Sequence, residues 1–71
     1  MDTAIQSAVA QKLVNHFGGA KKTAEAFGLV RQTVSLWLYR GIPLSRALEA
    51  ERLSEGVVTV EEILREAKES Q

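Results

Sequence analysis

Seventy-one residues at 45% hydrophobic composition make one domain, near the size at which a single core is only marginally stable alone, so association with a second copy is expected to help. Nine basic and nine acidic side chains cancel, and one histidine with no cysteine leaves no disulfide framework and no metal-ligand set, so no cofactor is expected. No apolar run nears the roughly 18 residues of a membrane span and no basic-then-apolar leader is present, so the expectation is a soluble cytoplasmic protein with no membrane partner.

In chain order, Asp2 or Thr3 can cap a first helix. Its stripe of Ile5, Ala8, Val9, Leu13, Val14 and Phe17 runs at helical steps to the Gly18-Gly19 stop, predicting a helix over residues 3–17. His16, with no partner ligand, reads as a surface or capping residue. Residues 20–27 form a second, short helix with Ala24 and Phe27 on one side. Gly28 follows the last periodic residue, where a helix commonly ends in a left-handed conformation. From residue 31 to 39 the period returns. Val34, Trp37 and Leu38 face inward at i, i+3 and i+4, and Arg31, Gln32, Ser35, Leu36 and Tyr39 take the opposite face. The small Ala24 lets the two helices cross closely, which is helix-turn-helix geometry. Its spacing with Val34 makes Trp37 a core residue rather than a stacking platform for a base.

Pro43 in Gly41-Ile42-Pro43 ends the motif. A fourth helix then runs to about Leu53, capped by Ser45 or begun earlier with Pro43 in its first turn, and Leu44, Ala47 and Leu48 are expected to pack against the motif. Glu49 and Arg52 read as a solvated pair. After the Ser54-Glu55-Gly56 turn, residues 57–60 admit two readings. One is a short strand of a hairpin; the other is the lead-in to a fifth helix over residues 60–68, because Thr59 and Glu62 have the form of a capping box. Helix formers from Glu61 onward leave no second strand, so the expected fold is all-α, a compact bundle of about five short helices containing a helix-turn-helix. Residues 1–71 are then a single domain, with 57–71 a dimerisation segment or tail. Val57, Val58, Val60, Ile63 and Leu64 form its expected exposed apolar edge and candidate dimer surface.

Charge is distributed unevenly. Residues 1–48 carry a net +4 and residues 49–71 a net −4, which sets the basic charge around the motif, as a phosphate-binding footprint requires. Lys21 and Lys22 lie at the start of the second helix, where backbone N–H groups also favour an anion. The first turn of the third helix is expected to enter the major groove of duplex DNA. Arg31 can pair with guanine and Gln32 with adenine, each such pair supplying roughly 1–3 kcal/mol of discrimination, although Arg31 at the helix start can instead hold a phosphate. Ser35 can reach a base edge or a phosphate, Leu36 a thymine methyl, and Thr33 either kind of group. Tyr39 and Arg40 close the helix as phosphate contacts, and Arg46 adds a further one.

With these residues in view, Ala24, Phe27, Gly28, Leu29, Val34 and Trp37 resemble, at the family's spacing, the helix-turn-helix of the phage Cro and lambda-type repressors. The resemblance runs from about Lys12 to Val60 and takes in the segment from Gly41 to Leu53, which is similar to short Cro repressors and to prophage antitoxins and regulators. Thr23 departs from the usual aliphatic residue, which suggests a slightly looser core, and Val30 departs from the Ser or Thr that often caps the third helix. In that family the first helix begins nearer Ala8, and Arg31, Gln32, Ser35 and Leu36 match the base-facing positions. The resemblance implies a phage or prophage regulator.

The carboxylates are not paired in a pocket and no nucleophile stands with a histidine, so an enzyme is not expected, nor a small-molecule ligand. The leading expectation is a repressor that binds a roughly palindromic double-stranded operator as a homodimer. The alternative is a prophage antitoxin or adaptor whose acidic, apolar tail binds a partner protein and folds on it.

Overall fold

Glycine stops the first two helices in the same way. In the computed structural model, which describes residues 7–69, α1 (Ala8–Phe17) ends where Gly18 enters the left-handed region at φ +92°. The Gly19 amide then donates to the Val14 carbonyl at 2.9 Å and the Gly18 amide to that of Asn15 at 3.2 Å. At the end of α2 (Ala20–Phe27), Leu29 donates to Ala24 at 2.8 Å and Gly28, at φ +70°, to Glu25 at 3.2 Å. Both closures reverse the chain within a few residues and bring α3 (Arg31–Arg40) back across α2.

Phe27 stands where these three helices meet. Its ring lies 5.2 Å from Trp37 of α3 and 6.3 Å from Phe17 of α1, both nearly edge to face, a geometry that adds about 0.5–1.5 kcal/mol per pair beyond burial. Leu13, Val34, Val58 and Ile63 complete the buried cluster around it. Thr23 is wholly buried, and its hydroxyl donates to the Gly19 carbonyl at 2.8 Å. The core at this position is therefore not loosened by an unmet polar group.

After Gly41 the chain passes through a 3-10 turn (Leu44–Arg46) into α4 (Ala47–Leu53), and then through a bend to α5 (Val60–Glu69). Among the described residues there is no strand, and the all-α expectation holds. The Thr59 capping box forms as expected: Glu62 N–H donates to the Thr59 hydroxyl and Thr59 N–H to the Glu62 carboxylate, each at 3.1 Å. Glu51 of α4 adds a third acceptor, taking the Val60 amide at 2.8 Å.

Four expectations are corrected. First, α1 begins at Ala8, because Ser7 is extended (φ −106°) and its hydroxyl accepts from the Ala10 amide at 3.0 Å; Asp2, Thr3 and Ile5 lie outside the described residues. Second, Ser45 is an exposed residue inside the 3-10 turn and caps nothing. Because that turn winds more tightly than an α-helix, the phase of the next helix shifts. Ala47 and Ala50 face the core while Leu44 and Leu48 are each 54% exposed. Third, Glu49 pairs with Arg46 at 2.8 Å rather than with Arg52. Fourth, Val58 and Ile63 are core residues, not part of an exposed edge; of that edge Val57 and Leu64 are exposed and Val60 is half-buried. Ser54 explains Val58. Wholly buried itself, it accepts the Val58 amide at 3.1 Å and turns that side chain inward.

Candidate nucleic-acid interface

The start of α2 has no side-chain cap and no acidic residue in its first turn, so its leading amides and the positive end of the helix face outward beside two lysines. Lys21 and Lys22 are both exposed. Their surroundings differ. The stem of Lys22 lies back over the α1–α2 turn, where a Cβ on Gly18 would come 3.5 Å from its Cδ. Lys21 instead lines a shallow cleft between α2 and α3, together with Ala24, Glu25, Leu29, Val30 and Arg31. That cleft brings Lys21 and Arg31 together and sets the Glu25 carboxylate beside them.

On α3 the expected outer face is realised. Arg31, Gln32, Leu36, Tyr39 and Arg40 are exposed, Thr33 and Ser35 are half-buried, and Val34 and Trp37 are in the core. The helix starts at Val30, extended at φ −88° and unable to cap it. The departure noted in the sequence is thus a missing cap, and it leaves the first amides of α3 turned to solvent next to Arg31 and Gln32. Val30 is also 63% exposed, which adds an apolar surface at the leading end of the helix. The lost cap is legible in the sequence and this surface less so, although the β-branched residue at a cap position signals both.

Ion pairing separates these cations from three others, although Arg52 and Lys68 likewise meet no carboxylate within 4.0 Å among the described residues. Lys12 is paired with Glu62, Arg46 with Glu49 and Arg65 with Glu61. Among the described residues, Lys21, Lys22, Arg31 and Arg40 have no carboxylate within 4.0 Å. Of the expected phosphate contacts, Arg46 alone is held by the fold, half-buried at the start of α4. Thr33 and Arg40, with Leu36 and Trp37, also line an open groove of about 400 Å³ that runs past Ile42 and Leu44 to Ala67 of α5.

This arrangement defines a small all-α protein built on a helix-turn-helix whose second helix presents an unneutralised polar and basic face. Residues 10–71 match the family described as bacterial toxin YdaS, and the chain belongs to that family. No curated protein and no solved structure matches it. The likeness to Cro-type repressors rests on the helix-turn-helix residues themselves. Among the described residues, no helix is long and apolar enough to cross a membrane.

Proposed function

We propose that the chain is a prophage-encoded, sequence-specific double-stranded DNA-binding protein that represses transcription as a homodimer, in the manner of the phage Cro proteins. The observation that carries this reading is the outer face of α3 with the adjoining start of α2. Its side chains are of the types that read base edges and hold phosphates, and their charge is left over by the fold. Arg31 and Gln32 read bases from the first turn of α3, with Ser35 one turn on, while Leu36 borders the groove that runs toward Ala67. Lys21, Lys22, Thr33, Tyr39 and Arg40 hold the backbone and fix the register, while Arg46 reaches a phosphate only by leaving Glu49. Occupation of a promoter then excludes polymerase, with no catalytic step.

The family's description as a toxin is compatible with this reading, since occupation of an essential host promoter would block transcription there. The alternative, a tail that folds only on a partner protein, is less well supported. In the chain alone, α5 is already capped at its start and packed on α1 and α4.

Selection from a pool of random duplexes, with sequencing of the bound fraction, tests the proposal when run beside Gln32→Ala at the same salt. Two mirrored half-sites about 34 Å apart, relaxed at one position per half by the substitution, are the expected result. Bound sequences no different from the input pool would overturn it.

A further inference from the structure

Four leucines that a 71-residue domain has reason to bury stay near half exposure: Leu36 at 47%, Leu44 and Leu48 at 54%, and Leu64 at 45%. Leu36 and Leu44 line the same groove, with Trp37, Ile42 and Ala67. Leu48 stands on the exposed side of α4, away from the buried Ala47 and Ala50. α5 turns Glu62 and Glu66 toward α1, where they meet Lys12 and Ser7. Leu64 lies two residues from each of them, hence on the other flank of α5, the flank next to Ala67 and the 3-10 turn. The leucines therefore form one strip across the end of α3, the 3-10 turn, α4 and α5, of a kind that soluble monomers rarely leave uncovered.

We infer that a second copy of the chain docks on this strip. The inference deepens the homodimer of the proposed function and keeps only Leu64 of the expected edge, of which Val58 and Ile63 are in the core. A twofold contact needs a patch that fits itself, and this one holds both a hollow walled by the small Ala67 and leucines that stand out beside it. Its rim carries both signs. Glu61 and Lys68 flank Leu64, and Arg52 follows Leu48 by one turn, so a twofold arrangement is able to set opposite charges against each other, whereas a partner of a single sign meets like charge somewhere. Four half-exposed leucines supply roughly half of the 800 Å² per partner of a standard interface. The contact is accordingly weak in free solution and closes when two copies share one duplex.

Sedimentation of the full chain over a concentration series, alone and with a duplex recovered by the pool selection or, failing that, a random duplex, tests the inference. Leu44→Glu and Leu48→Glu are placed at exposed positions and checked for helicity by circular dichroism; Val57→Glu, off the strip, is the control. The wild type and the control should self-associate, alone or on the duplex, with the leucine variants at least tenfold weaker. Folded leucine variants that associate like the wild type overturn the docking face, as does a wild type that stays monomeric in both conditions. Association lost only in the leucine variants, with no duplex bound by any form, keeps the docking face and removes the DNA reading.

Discussion

Lys21, Lys22, Arg31 and Arg40 meet no carboxylate within 4.0 Å among the described residues, whereas Glu51, Glu62 and Glu66 of α4 and α5 are each used to close a helix end or tie two helices together. Glu66 accepts the Ser7 hydroxyl at 2.6 Å and the Val9 amide at 3.2 Å, so a carboxylate of α5 completes the start of α1. Lys12 of α1 answers with a 2.6 Å contact to Glu62. A net charge of zero thus conceals two uses: Glu51, Glu62 and Glu66 hold the fold together, whereas the cations of α2 and α3 stay unpaired among the described residues.

The largest effect that would break this contrast is at Glu66. Glu66→Ala should cost about 2 kcal/mol, read from urea unfolding, because a charged acceptor is lost from two donors at once. Arg40→Ala should stay within about 0.5 kcal/mol of wild type in the same assay, while its DNA affinity falls and its salt slope flattens by about one counterion. Equal stability losses in the two variants would erase the distinction.

Next in size is Glu55. Among the described residues it is the non-glycine residue with positive φ, at 55°, and it closes α4 through a 3.1 Å bond to the Arg52 carbonyl, as Gly18 and Gly28 close α1 and α2. Glu55→Gly should therefore raise stability by up to about 1 kcal/mol; a lower melting temperature would show that the carboxylate has a further role. The smallest effect concerns acid. The hydrogen bond from Lys12 is the main cause holding the Glu62 carboxyl below the usual carboxylate range, against the opposing effect of burial. With the folded value depressed, the contribution is complete above the unfolded value of about 4.3 and is lost as pH falls through the folded one. Lys12→Met should thus lower stability by a few tenths of a kcal/mol at pH 7 and make its fall below about pH 4.3 shallower.

The helix-turn-helix was legible because its signals are local: a glycine after the last periodic residue, and Val34 and Trp37 three apart. The Thr59–Glu62 box was legible for the same reason. The start of α1 was legible only through the family resemblance, which sets it nearer Ala8; from the residues alone it was not, since Ser7 has no carboxylate three residues on and its hydroxyl meets one 59 positions away. Leu44 and Leu48 were misplaced because an α-helical period was carried through residues that wind as a 3-10 turn. Val58 lies in a bend with no period, and its burial depends on one serine hydroxyl. Of the site, the sequence showed which side chains share the outer face of α3; Arg46 with Glu49 at i, i+3 and Lys21 with Glu25 at i, i+4 were also within reach of helical spacing and were passed over.

The bond between Ser7 and Glu66 also sets an order of events during synthesis. At roughly 5–20 residues per second, the carboxylate that finishes α1 is added about 3–12 s after the serine it meets. Throughout that interval α2 and α3 are synthesised with their cations in place, while the helix they rest on still lacks its second cap. The half of the molecule that faces outward is made first and made firm last.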